Sequence, residues 1–123
     1  MYVLVFSSDA NCRRFCVDNL VIRGYLAAGL ASPKEAALLL QNTQPGLIVV
    51  CTSSDEARDH QMIRDIRNVQ RFTSVPLLLM GPHIPDPDLM DELGIDAYIP
   101  EGRNVSGFIG VVERLLKSKQ EQA

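Results

Sequence analysis

Short apolar runs alternate along the chain with longer stretches in which apolar residues recur every three or four positions. Runs of four to six apolar residues rich in β-branched side chains predict strands that are buried on both faces. Such runs cover residues 2–6, 47–50 and 75–80, with weaker ones at 25–30 and 97–99. Helical spacing of the apolar positions predicts helices over about residues 10–23, 33–42, 57–72, 87–93 and 105–119.

Polar residues that cap helices stand at the predicted boundaries. Ser8 or Asp9 is placed to cap the first helix, and Ser32 followed by Glu35 forms a capping-box pattern at the start of the second. Gly24 and Gly94 are placed to end the first and fourth helices. The boundaries therefore agree with the pattern of apolar runs.

Strands that alternate with helices predict an α/β fold, because right-handed crossovers build a parallel sheet with helices on both faces. We expect a flavodoxin-like three-layer sandwich, with a five-stranded parallel sheet in the order 2-1-3-4-5 and five helices. The second strand is rich in Ala and Gly and is expected at an edge. Residues 1–119 are expected to form this one domain, and residues 120–123 a frayed tail.

Composition narrows the classes of function. The chain has 123 residues, is 46% hydrophobic and carries a formal net charge of −3. Lys and Arg form no long run, which argues against direct binding of nucleic acid. No apolar stretch approaches the ~20 residues of a membrane helix, and the N-terminus lacks the pattern of a signal peptide. Three cysteines without framework spacing fit a reducing compartment, so we expect a cytoplasmic protein with no membrane association.

Five segments in this order resemble a response-regulator receiver domain, the phosphoacceptor module of two-component signalling. They are VLVFSS at the first strand, Gly24-Tyr25 after the first helix, PGLIVVC, VPLLLMGP and GIDAYIPEG. The resemblance extends over residues 2–116. It implies the same fold as the apolar pattern, and it implies a phosphorylation site at the carboxyl edge of the sheet.

The residues on which that family's chemistry depends are all replaced in this chain. The resemblance places the acidic pair that holds magnesium at Ser7 and Ser8, and the phosphoacceptor aspartate at Cys51. It places the family's hydroxyl residue, a Ser or Thr, at Gly81 and the lysine at Glu101. Hydroxyl and thiol groups give magnesium none of the carboxylates that phosphoryl transfer needs. We therefore expect a pseudo-receiver that is not an enzyme and is not phosphorylated.

Such a domain is expected to act by binding another protein, or a second copy of itself, with no cofactor and no metal. By resemblance, the interaction face comprises the last two helices and the fifth strand. Tyr98 matches the family's switch aromatic, with a rotamer expected to be set by packing or by a partner. The residues predicted for this face are Asp88, Asp91, Glu92, Tyr98, Arg103 and Arg114.

The position of Cys51 after a buried strand leaves two alternatives open. Cysteine phosphatases and sulfurtransferases place a nucleophile there, with an arginine after five intervening residues. Here Arg58 follows after six, and Asp55 and Glu56 would raise the thiol pKa. A redox couple with Cys12 is the second alternative. We expect Cys51 to be a small, partly buried core residue.

Ligand spacing for a metal ion is lacking in the sequence. Cys12 and Cys16 lie one helical turn apart on the predicted inward face, but a zinc site would need further ligands. His60 and His83 are each isolated and are expected at the surface or in loops. A weak cation site is conceivable from loop carboxylates, which we expect instead to be solvated or to cap a helix; these are Asp9, Asp55, Glu56 and Glu101.

Overall fold

A computed structural model describes residues 2–39, 44–52, 56–82, 84–100 and 105–122 of the chain. The strands are β1 (Tyr2–Phe6), β2 (Leu26–Leu30), β3 (Leu47–Cys51), β4 (Leu77–Gly81) and β5 (Ala97–Pro100). The helices are α1 (Ala10–Ile22), α2 (Pro33–Leu39), α3 (Glu56–Asn68), α4 (Pro87–Leu93) and α5 (Val105–Gln122), with a short 3₁₀ helix (Gln70–Phe72) after α3. None of the described helices is long and apolar enough to cross a membrane.

The strands form one parallel sheet in the order β2-β1-β3-β4-β5, which confirms the predicted flavodoxin-like topology. β2 lies at an edge, as its weak apolar pattern predicted. The register pairs Phe6 with Val50, and Cys51 with Met80. The carboxyl ends of β1, β3 and β4 therefore lie next to one another at one edge of the sheet.

Side chains of the sheet alternate between two apolar layers. Leu47, Val49 and Cys51 of β3 face α1 and α5, and we call this side the α1/α5 layer. Ile48 and Val50 face the opposite side, the α2–α4 layer, which is packed by α2, α3 and α4. Because both faces are covered, each of the five β3 residues is buried. The continuous apolar run in the sequence has this physical origin.

Helix α3 is shorter than predicted. It ends at Asn68 rather than at residue 72, because Val69 adopts an extended backbone conformation (φ −76°, ψ 117°). The chain then forms the 3₁₀ helix, which carries Phe72 into the α2–α4 layer with none of its surface exposed. The apolar residues keep helical spacing across Val69, so the sequence pattern gives no sign that the helix ends there. Helix α5 extends to Gln122, beyond its predicted end.

The apolar stripe of the third predicted helix (Ile63, Ile66 and Val69) indicates from the sequence that Arg67 lies on the solvent side with Arg58, Arg64 and Arg71. For Arg67 this prediction is wrong, because the residue is mostly buried. Its side chain is 16% exposed, and the guanidinium donates to four backbone carbonyls. Burial lowers the pKa of Arg67, while the nearby Asp96 carboxylate raises it. Arg67 thus joins α3 to three neighbouring segments through the carbonyl oxygens of Phe72, Val75, Leu93 and Gly94.

Candidate functional site

The hydroxyl of Ser7, at the end of β1, is used for structure. Ser7 is 1% exposed, and its Oγ accepts a hydrogen bond from the backbone N–H of Asp9 at 3.0 Å. Its carbonyl oxygen accepts a hydrogen bond from the Arg13 guanidinium. Ser8 is exposed, and Asp9 caps α1 by accepting from the Asn11 N–H at 2.9 Å. The helix-cap role expected for Asp9 is therefore confirmed.

Cys51, at the end of β3, forms a disulfide with Cys12 in the first turn of α1. Their Cα atoms are 6.5 Å apart, within the range that a disulfide spans. Cys51 is 2% exposed, so it is a core residue that is buried more completely than predicted, and its sulfur is bonded rather than free. The structure therefore brings together the two residues of the conceivable redox couple. In this form Cys51 has no thiolate with which to act as a nucleophile.

Cys16 adds a third sulfur beside this bond. Its side chain is fully buried, and its Sγ lies 3.5 Å from the Sγ of Cys51. The Sγ atoms of Cys12, Cys16 and Cys51 all lie within 4.8 Å of one another. Burial raises the pKa of Cys16 to about 12, so this residue is a neutral thiol near pH 7. We call these three residues the sulfur cluster.

Gly81, at the end of β4, leaves space that the Thr52 side chain fills. A Cβ built on Gly81 would overlap the Oγ1 atom of Thr52 and lie 2.8 Å from its Cβ. The Thr52 hydroxyl donates to the carbonyl of Met80 at 3.3 Å, and the Thr52 N–H donates to the same carbonyl at 2.8 Å. A hydroxyl is thus present beside the end of β4, but it comes from the neighbouring strand end.

Replacing Gly81 by alanine is expected to lower the free energy of unfolding by about 2 kcal/mol, because the new methyl group and Thr52 compete for one space. Urea denaturation of Gly81→Ala measures this loss. In the Thr52→Gly background the same substitution is expected to cost less than about 0.5 kcal/mol, since the competing atoms are absent. Equal costs in the two backgrounds would contradict the proposed overlap.

Tyr98 on β5 is held by a hydrogen bond within the domain. Its hydroxyl donates to the carbonyl oxygen of Gly81 at 2.7 Å, and its half-buried ring packs against the α2–α4 layer. Packing and this hydrogen bond to the backbone together hold the ring in its position. Tyr98 links β5 to the end of β4.

A cleft of about 220 Å³ opens beside Thr52, on the α2–α4 side of the sheet. Its wall includes Asp59, which is 5% exposed, and the half-buried His60. The N-terminus of α4 and the exposed Ile84 form the opposite wall. Sequence patterns did not indicate this cleft, because its wall combines single residues from α3, β4 and the segment before α4.

Most of the predicted interaction face lies at the surface. Asp88, Asp91 and Glu92 on α4 and Arg114 on α5 are exposed, while Tyr98 is half-buried. Other residues singled out from the sequence lie outside the described residues or have side chains that do; these are Asp55, Glu56, His83, Glu101 and Arg103. The described part of the face carries acidic residues on α4 and a basic residue on α5.

The fold is that of the CheY-like response-regulator receiver domains. The chain matches the CheY-like receiver domain protein of Methanospirillum hungatei JF-1 with a TM-score of 0.81 at 13% identity, over 99% of this chain and 98% of that one. It matches the chemotaxis response regulator CheY4 of Vibrio cholerae with a TM-score of 0.76 at 15% identity, over 93% and 97% of the two chains.

A third similar structure is the receiver domain of a signal transduction histidine kinase from Syntrophus aciditrophicus. The TM-score is 0.73 at 21% identity, over 95% of this chain and 90% of that one. Neither a scan against protein-family models nor a search of curated proteins found a match. At these identities the structural likeness establishes the fold, and function rests on the site residues.

Proposed function

We propose that the chain is a receiver-like signalling domain of two-component type that lacks a phosphoacceptor and acts through protein–protein contacts. One observation carries this proposal: the residue at the tip of β3 is Cys51, whose sulfur is bonded to Cys12. A phosphoryl group needs a free nucleophilic oxygen at that position in the receiver mechanism that the resemblance implies. The bonded, buried sulfur offers none.

The surroundings of Cys51 support the same proposal. Magnesium prefers oxygen ligands, and carboxylates above all, to neutralise the charge of the transferred group. Ser7 and Ser8 bring hydroxyls to the end of β1, and the Ser7 hydroxyl already accepts the Asp9 N–H. Gly81 contributes no side chain at the end of β4. In the receiver-like interpretation, the scaffold is retained while the groups for phosphoryl transfer are replaced.

The surface formed by α4, β5 and α5 is the proposed contact face. Asp88, Asp91 and Glu92 expose carboxylates on α4, and Arg114 exposes a guanidinium on α5. A face with both charge signs favours a partner of complementary pattern, or a second copy of the chain related by a two-fold axis. Tyr98, fixed to Gly81, gives the middle of this face a defined shape.

Incubation with acetyl phosphate and Mg²⁺ tests the proposal. Intact-mass spectrometry is expected to show no added phosphoryl group, because the tip of β3 carries no carboxylate. Sedimentation of the same samples is expected to show an association state that does not depend on the phosphoryl donor. A Mg²⁺-dependent adduct that hydroxylamine releases would contradict the proposal. The Cys51→Ser variant serves as control, because it identifies any adduct carried by sulfur.

A redox-responsive variant of this function is the second candidate, and the Cys12–Cys51 bond favours it. We place the domain in the cytoplasm, where disulfides are usually transient and serve catalysis or redox sensing. A bond that opens and closes there would act as a switch between α1 and the tip of β3. In its open form Cys51 would again carry a thiol, which is the form that any thiol-dependent enzyme chemistry would require.

A further inference from the structure

The sulfur cluster has the arrangement of a three-coordinate metal site. We propose that, once the Cys12–Cys51 bond is reduced, Cys12, Cys16 and Cys51 together bind one thiophilic metal ion, Cu(I). This inference goes beyond the proposed signalling function and does not depend on it. It also departs from the expectation of no metal, because the third sulfur donor comes from β3, far from the α1 pair in sequence.

Distances among the sulfurs fit this coordination. A metal–thiolate bond is about 2.3 Å long, so three sulfurs placed evenly around one ion are separated by about 4 Å. The Sγ of Cys16 lies 3.5 Å from that of Cys51, and no two of the three Sγ atoms are more than 4.8 Å apart. Cys12 and Cys51 are at bonding distance in the disulfide, and the metal site requires this one pair to move apart after reduction.

The cluster is a triangle rather than a line. In-line attack of the Cys16 sulfur on the disulfide would place Cys12 and Cys16 about 5.5 Å apart, the sum of the observed 3.5 Å and a bond of about 2.05 Å. The actual separation is at most 4.8 Å, so the three sulfurs are bent around a common centre. This geometry suits a shared ligand better than exchange of the disulfide to Cys16.

The chemistry of the three sulfur ligands favours Cu(I) over other metal ions. Among the described residues, no histidine or carboxylate joins the three sulfurs. Zinc in proteins takes four ligands, so it would need a water molecule inside the α1/α5 layer, where Cys16 and Cys51 are buried. Soft thiolate ligands favour Cu(I), which needs no fourth ligand here. The ion would join the first two turns of α1 to the tip of β3.

Reduction and binding balance as two steps. A dithiol reductant transfers two electrons and two protons to the Cys12–Cys51 bond, giving two thiols while the reductant closes to its own disulfide. Cu(I) then binds the sulfurs, and each thiol that becomes a thiolate ligand releases one proton to solvent. The disulfide form lacks two of the three ligands and is expected not to bind.

The test is an anaerobic titration of the full chain with Cu(I), after reduction by dithiothreitol and removal of the reductant. Bathocuproine disulfonate competes for the ion, and its absorbance reports how much Cu(I) the protein removes. We expect one Cu(I) per reduced chain and no competition from the disulfide form. Cys16→Ala is expected to weaken binding by about 100-fold or more, because it removes a ligand and loss of a residue that only supports a ligand already costs about 10- to 100-fold. His60 lies outside the sulfur cluster, so the His60→Gln variant is expected to bind Cu(I) as tightly as the wild type does.

Three results would overturn the proposal. They are failure of the reduced chain to remove Cu(I) from the chelator, unchanged binding by Cys16→Ala, and a disulfide that cannot be reduced in the folded chain. Thiol counting before the titration reports the last of these. Circular dichroism of Cys16→Ala and Cys16→Ser shows whether each is folded, and the folded variant is used. Tighter binding of Zn²⁺ than of Cu(I) would overturn the choice of ion.

Discussion

Replacing Arg67 by alanine is expected to lower the free energy of unfolding by about 3–4 kcal/mol, a large effect for one residue. The guanidinium donates to four backbone carbonyls that belong to the 3₁₀ helix, the segment just before β4 and the C-terminal end of α4. Without it, these oxygens lose their charged donor, three of them in partly buried hydrogen bonds, and the segments lose their common attachment to α3. Urea denaturation of both proteins measures the difference.

Arg64 provides the matched control on the same helix. It is exposed, so Arg64→Ala is expected to change stability by no more than about 0.5 kcal/mol. Arg67→Lys is expected to recover only part of the loss, because an ammonium group lacks the planar fork that reaches several carbonyls at once. Similar effects of Arg64→Ala and Arg67→Ala would show that the hydrogen bonds of Arg67 do not stabilise the fold.

Reducing the Cys12–Cys51 bond is expected to lower the free energy of unfolding by a similar amount. The bond joins residues 39 positions apart. Restricting an unfolded loop of that length contributes about 4 kcal/mol in the chain-entropy model, and measured values are often somewhat lower. We therefore expect the urea midpoint to fall clearly when a dithiol is present.

Cys12→Ser is the control for this measurement. It is expected to match the reduced wild type in stability and to be insensitive to the dithiol, because no bond remains to be opened. Adding one equivalent of hydrogen peroxide to the reduced wild type is expected to restore the higher midpoint, with two thiols and one peroxide giving the disulfide and two water molecules. Identical midpoints for reduced and oxidised wild type would refute both the stabilising bond and the redox candidate.

The fold could be predicted from the sequence because its signals are local. A buried parallel strand is apolar at every position, as residues 47–50 are, and a crossover helix repeats its apolar positions with helical spacing. Arg67 could not be placed in this way. Its position on α3 alone puts it next to solvent, and the carbonyls that bury it belong to segments that follow later in the chain.

For the candidate site, the sequence located the strand ends but not the contacts between them. Ser7, Cys51 and Gly81 each end an apolar run, so their shared edge followed from the topology. The bond from Cys51 to Cys12 depends on the orientation of α1 about its own axis. The spacing of apolar residues gives this orientation too coarsely to show which side chain of α1 meets Cys51. The filling of the Gly81 space by Thr52 depends on one side-chain rotamer.

Alternation along the sheet has a consequence for how signals could travel through this domain. Cys51 points into the α1/α5 layer, whereas Tyr98 and the cleft beside Thr52 belong to the α2–α4 side. The sheet therefore separates the sulfur cluster on one face from Tyr98 and the cleft on the other. Reduction of the disulfide or binding of a metal ion would first change the packing of α1 and α5. A ligand bound in the cleft would first contact α3 and α4. In the proposed signalling function, one small domain would thus receive two inputs from opposite sides of its sheet.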